Sequence, residues 1–218
     1  MKKIISMLMV VVMVLSLGSV SVFADEGGNL CIDVYEPFDD VSVGDYFYDT
    51  VIWAVENGIT TGTSETTFSP NETCTYNQIL TFLWRANESP IAAVDDRLNW
   101  VIKDEYFTEA VRWMAAEGYI DRFFAGESPC TRGAVVKYLY YLSGEKDYDI
   151  SSADKFTDVS VELAKGNKNH SDYVTKEAIA WAVDNGITSG TSETTFSPYA
   201  TCTRAQIVTF LYRAYANR

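Results

Sequence analysis

Residues 57–86 recur almost letter for letter at residues 185–214, as NGITTGTSETTFSPNETCTYNQILTFLWRA and then NGITSGTSETTFSPYATCTRAQIVTFLYRA. At an offset of 128 the two copies differ only at positions 61, 71, 72, 76, 77, 80 and 84. A chain that repeats a 30-residue block is built from supersecondary units, none of which can bury its apolar face alone. Its core must therefore form where the units stack, and binding sites are expected at the same junctions.

A weaker copy lies between the two. Tyr106-Phe107, Val111, Trp113 and Gly118 align with Tyr46-Phe47, Val51, Trp53 and Gly58 at an offset of 60, which sets Trp100 against Asp40. Downstream, Cys130-Thr131-Arg132 repeats Cys202-Thr203-Arg204, but the intervening turn is four residues shorter. The expected organisation is a leader at 1–24, a lead-in at 25–37 and units at 38–88, 98–143 and 156–216, the middle one degenerate. The third unit carries a polar insertion around residues 162–171.

Each unit predicts the same local structure. Val51, Ile52 and Val55 have helical spacing, and Gly58 followed by Ile59 is a left-handed stop with an apolar residue after it, repeated at Gly118-Tyr119 and Gly186-Ile187. A turn follows, in which burial of the ring in Phe68-Ser69-Pro70 and Phe196-Ser197-Pro198 pins a short extended segment. Thr75 with Gln78, and Thr203 with Gln206, are capping boxes that open a second helix. Ile79, Phe82, Leu83 and Ala86 line one face of that helix, as do Ile207, Phe210, Leu211 and Ala214.

The N-terminus carries Lys2 and Lys3, an apolar run from Ile4 to Leu17, and Val22-Phe23-Ala24 as a small-x-small cleavage motif. This pattern predicts a secretory leader; the alternative, an anchoring helix, would need a longer apolar run. Loss of the leader takes the formal charge from −13 to −15, because Lys2 and Lys3 go with it. Such acidity excludes duplex nucleic acid as a partner, since that binding rests on neutralising phosphates with Lys and Arg. An anionic ligand would need a locally placed cation, which directs attention to the arginines.

These motifs resemble the S-layer homology (SLH) repeat of bacterial cell-surface proteins. The resemblance rests on Phe38 to Val41, Tyr46, Val51 to Trp53, Gly58-Ile59, Gly62 to Pro70 and Thr75 to Gln78, and again on Phe156 to Val159 and Trp181 to Gln206. It implies a mainly α fold: a pseudo-threefold assembly of three repeats, each a helix, a turn with a short extended segment and a capped helix, around a central three-helix bundle. It also implies noncovalent attachment to secondary cell-wall polysaccharide, often pyruvylated, in grooves between neighbouring repeats. The expected location is the cell wall or S-layer surface, with no cofactor, no metal and no membrane contact once the leader is gone.

A pyruvate ketal presents a carboxylate, which suits a guanidinium fork beside the first amides of a helix. Arg132 and Arg204 stand at such places, with Asp40 and Asp158 as acceptors for sugar hydroxyls and Tyr46 and Tyr173 as stacking platforms. Thr131, Thr203, Gly62 and Gly190 are secondary candidates. The arginines would otherwise pair with a neighbouring repeat's aspartate, and the tyrosines would simply pack. If each groove joins one repeat's arginine to the next repeat's aspartate, the pairs are Arg132 with Asp158, Arg204 with Asp40, and Tyr76 with Trp100. Both losses then fall in one groove and two remain whole. The opposite handedness leaves only Arg132 with Asp40 complete.

Cys74, Cys130 and Cys202 share one position before the capping threonine, and Cys31 stands in the lead-in. Export permits disulfides, but a buried small hydrophobe is the simpler role at the shared position. The one histidine, His170, leaves no basis for a His-assisted nucleophile. A carboxylate pair for wall-glycan hydrolysis has no spacing to mark it among 30 acidic residues, so an enzyme is not expected. The competing role is docking of another exported protein on degenerate grooves.

Overall fold

A computed structural model describes residues 20–24, 30–34, 36–92, 98–160 and 174–216. The fold is mainly α. Among the described residues six α-helices follow one another: α1 (Tyr48–Glu56), α2 (Tyr76–Ala86), α3 (Thr108–Ala116), α4 (Arg132–Ser143), α5 (Lys176–Asp184) and α6 (Arg204–Tyr215). Ahead of them, β1 (Val20–Ala24) pairs antiparallel with β2 (Leu30–Val34), with Val20 opposite Val34 and Ala24 opposite Leu30. The expected cleavage motif thus occupies the end of β1. No helix among the described residues is long and apolar enough to cross a membrane, and Ile4 to Leu17 lie outside them.

The first helix of each pair ends as its glycine dictates. Gly58, Gly118 and Gly186 take φ of 66°, 78° and 68°, a region that costs glycine nothing. In α1 the Gly58 amide then donates to the Val55 carbonyl and the Ile59 amide to Ala54, which satisfies carbonyls the helix leaves open. Tyr119 and Ile187 repeat the longer bond to Met114 and Ala182. The second helices open on threonine. Thr75 Oγ1 accepts from the Gln78 amide while Gln78 Oε1 accepts from the Thr75 amide, and Thr203 with Gln206 does the same. Thr131 accepts from the Ala134 amide, and alanine there cannot return the second bond.

Packing crosses between units. Helix α1 lies on α6, α3 on α2 and α5 on α4, while α6 also touches α2 and α4. Each first helix therefore buries its face on the second helix of a different unit, with a hydroxyl contact of 3.3 Å between Thr50 and Thr209 across one such junction. The second helices contribute Ile79, Leu80, Leu83, Val135, Val136, Ile207, Val208 and Leu211 to the core with no accessible surface, and the first helices add Val51, Ala54, Met114 and Ile179. Phe68 and Phe196, from the two long turns, are equally buried.

The three cysteines tie the units at their meeting point. The Cys130 amide donates to the Cys74 carbonyl (2.8 Å), Cys202 to Cys130 (2.9 Å) and Cys74 to Cys202 (3.3 Å), so the bonds run in a closed circle. Flanking bridges pair Thr73 with Thr203, Thr75 with Pro129 and Thr131 with Thr201. The extended segments expected after the turns are thus single bridges rather than strands. None of the three forms a disulfide, and all are fully buried.

Burial pushes the Cys74 thiol from an ordinary 9.0 up to about 11, with Arg204 pulling the other way. It pushes Cys202 up to about 12 against the opposite pull of Arg132. The folded chain therefore holds these protons after the unfolded chain has lost them. Their contribution to stability is whole below pH 9 and is lost as pH rises toward 11 to 12. Iodoacetamide at pH 8 is expected to leave Cys74, Cys130 and Cys202 unmodified until the protein is unfolded. Rapid modification of any of them in the folded protein would contradict this burial.

Candidate functional site

The two near-identical turns are each gripped from both sides. Asp40 accepts the amides of Phe68 (2.7 Å) and Ser69 (2.8 Å), and Arg204 Nε donates to the Phe68 carbonyl at 2.8 Å. The peptide group between Phe68 and Ser69 is thus held at its N–H by the aspartate and at its C=O by an arginine from the third unit. A polarised chain of this kind strengthens each of its bonds. In the other turn Asp158 takes the amides of Phe196 (2.9 Å) and Ser197 (2.7 Å), and Arg132 Nε donates to the Phe196 carbonyl at 3.2 Å. Ser69 and Ser197 both sit at φ 58°, a strained value that this double grip maintains.

Of the two handednesses open to the sequence, the structure thus has the one that joins Arg132 to the Asp158 turn and Arg204 to the Asp40 turn. No direct ion pair forms between arginine and aspartate; the linkage runs through one backbone peptide. The aspartates spend both oxygens on the turn amides, a role the sequence did not reveal.

Both arginines are buried, Arg132 at 5% and Arg204 at 4% exposure. Arg132 lies over the rings of Phe196 (5.4 Å) and Phe210 (5.2 Å), and its Nη2 is 3.4 Å from the Thr188 hydroxyl. Arg204 lies over Phe68 (4.9 Å) and Phe82 (5.3 Å), with Nη2 3.4 Å from the Thr60 hydroxyl. Burial lowers the Arg132 pKa, and the nearby Cys202 offsets this in part. Carbonyls, hydroxyls and ring faces are neutral partners. Neither guanidinium has a carboxylate counterion among the described residues.

A cavity of about 220 Å³ opens beside Arg132, between Tyr46, Thr188 to Gly190, and the Gln206, Thr209, Phe210 and Arg213 side of α6. All three units contribute to it. Tyr46 is 68% exposed and meets Phe47 in a T-shaped contact at 5.0 Å. Desolvation raises its pKa, with Cys202 adding and Arg213 opposing. Around Arg204 the same constellation recurs. Tyr106, 57% exposed, is raised by burial and by Glu127, with a hydrogen bond to Thr75 opposing. Thr60, Gly62, Gln78, Phe82 and Arg85 repeat the other positions at the offset of 128.

Arg213 and Arg85 were not anticipated, nor was Tyr106 as a site residue. Arg213 Nη1 donates to the Ile187 carbonyl (3.0 Å) and Arg85 Nη1 to Ile59 (3.1 Å), so each groove holds a second cation. Their signal lay in the repeated block, nine residues after positions 204 and 76. Thr131 and Thr203 spend their hydroxyls on helix caps. Gly62 and Gly190 sit where a Cβ would come within 2.5 and 2.6 Å of Phe38 and Phe156, so both are required by the turn itself. Tyr173 lies outside the described residues.

At the third junction the position equivalent to the arginine grooves is filled. Tyr76 replaces the arginine and is wholly buried, edge-on to Phe124 at 6.0 Å. Lys137 takes the place of Thr81 and Thr209, fully buried with Nζ 4.2 Å from the Tyr138 ring centre. Tyr141 takes the place of Arg85 and Arg213, stacked on Tyr119 at 5.2 Å. Val174, the counterpart of Tyr46, is 1% exposed.

No curated protein matches the chain. Residues 37–79 and 168–208, which carry Asp40 and the Phe68 turn in one case and Arg204 and the Phe196 turn in the other, match the family model of the S-layer homology domain, a module of cell-surface anchoring.

Proposed function

We propose that this chain is exported and attaches noncovalently to a cell-wall polysaccharide that carries carboxylate substituents, of the kind a pyruvate ketal supplies. In this account residues 98–143 are a third repeat, the three units surround a pseudo-threefold axis at the cysteine circle, and two of the three grooves bind. The carrying observation is the pair of buried guanidinium groups that lack a counterion. A buried charge is costly unless paired, and neutral acceptors satisfy only part of its demand. Arg132 keeps Nη1 without a hydrogen-bond acceptor among the described residues and lines the cavity beside exposed Tyr46, while the Arg204 guanidinium, which also reaches the Cys74 thiol, stands near exposed Tyr106.

A ligand carboxylate completes the fork and Tyr46 or Tyr106 covers a sugar face. The opening amides of α4 and α6 are already bonded within the protein, so those helices add only the positive field of their ends. The role is anchoring and needs no catalytic group. Co-sedimentation with purified walls tests it: native walls should retain the protein, and walls stripped of ketal-linked pyruvate by mild acid should not. Equal retention by both would remove the carboxylate from the account and favour a protein partner.

A further inference from the structure

In the middle unit both ends of the peptide grip are gone together. Trp100 stands where Asp40 and Asp158 stand, Tyr76 replaces the arginine, and the turn has lost the four residues that would pack beside them. What remains is a cavity of about 590 Å³ with an apolar wall of Trp100, Val101, Phe107, Val111 and Phe124. Its polar rim holds Asn77, Arg122 and Glu127, with Asn77 Nδ2 donating to Glu127 Oε1 at 2.7 Å. Ala125 also lines it. The Ala125 amide is the counterpart of the Ser69 amide that Asp40 holds, and it has no acceptor among the described residues.

We propose that this cavity is a further glycan site that takes an uncharged N-acetylated hexopyranose. The wall offers an indole face for the C–H face of a sugar ring, apolar side chains for a methyl group, and the solvent-open N–H of exposed Ala125, which no described protein group accepts and which an acetamido carbonyl can take in place of water. Arg122 and Glu127 cancel each other's charge, so a carboxylate-bearing sugar gains nothing here that it gains at Arg132. The volume falls within the range of small-molecule sites, with few polar groups on a mostly apolar wall. The chain would then grip wall glycan at two chemically different kinds of position, and this site does not depend on the arginine grooves.

The test is titration of the full chain with the β-1,4-linked N-acetylglucosamine trimer, followed by ¹H–¹⁵N NMR. Saturable shifts of the Trp100 indole and the Ala125 amide are expected, with weaker binding of the corresponding glucose trimer. Trp100→Ala should weaken binding at least about tenfold. Ala125→Leu, at an exposed position, should fill the cavity and do the same in a chain that still folds. Arg132→Lys with Arg204→Lys should leave this binding unchanged. The proposal is overturned by the absence of saturable shifts, which would leave the cavity to an apolar peptide. It is equally overturned by binding that ignores Trp100→Ala and Ala125→Leu, or by binding that disappears with the arginines.

Discussion

A chain carrying Arg132→Ala together with Arg204→Ala is expected to lose retention on wall polysaccharide altogether, each single change removing one site. Truncating one partner of a buried charge pair costs on the order of 2–5 kcal/mol, which is about 30-fold or more per groove. The arginines also hold the Phe196 and Phe68 carbonyls, so alanine should lower stability by about 1–3 kcal/mol at each position. Arg→Lys at both positions separates the two effects. Lysine keeps the charge but not the planar fork, so the fold should persist while affinity falls. Full retention by a folded double alanine variant would end the arginine account.

The second large effect is expected at the turn glycines, on stability rather than on binding. Gly62 has φ 89°, and a Cβ there would lie 2.5 Å from Phe38 Cε1 and 2.5 Å from the Thr67 carbonyl oxygen. Gly190, at φ 100°, would meet Phe156 Cε1 at 2.6 Å and the Thr195 oxygen at 2.7 Å. Backbone oxygens at that distance cannot give way as a flexible side chain can, and the left-handed conformation adds strain of its own. Gly62→Ala or Gly190→Ala should each cost about 3 kcal/mol or more and lower Tm by roughly 10 °C. Gly44→Ala, with nothing within 4 Å of the added carbon, should be close to neutral in the same thermal melts. Weakened glycan binding by a Gly62→Ala chain of unchanged Tm would instead make this residue a ligand contact.

Local chemistry made the helices, their caps and the buried turn phenylalanines legible, because each signal spans only a few residues. Thr203 and Gln206 announce a capping box, and Gly186 with Ile187 announces a helix end. The grip on the turn peptide was not legible, since Arg204 meets Phe68 across 136 residues and Asp158 meets Phe196 across 38. Sequence therefore offered the aspartates as sugar acceptors, while the fold spends them on backbone amides. The handedness was a partial exception. Tyr76 and Trp100 depart from the pattern together, and they stand at the two positions that hold one peptide from either side in the other turns, where an aspartate without its arginine would leave half of the grip unsupported. Arg85 and Arg213 were hidden in plain view, because the repeated block reads as a helix face until α1 and α3 are known to lie against α6 and α2. The pairing of β1 with β2 was not foreseen, because residues 20–24 read as the end of a leader.

Two arginine grooves and one junction where the equivalent position is filled form the central claim, and counting sites tests it most directly. Calorimetric titration of the full chain with a soluble pyruvylated wall disaccharide should give two equivalents bound. Arg132→Lys or Arg204→Lys should each reduce the high-affinity count to one. Three arginine-dependent equivalents, or a count that ignores both arginines, would contradict the account.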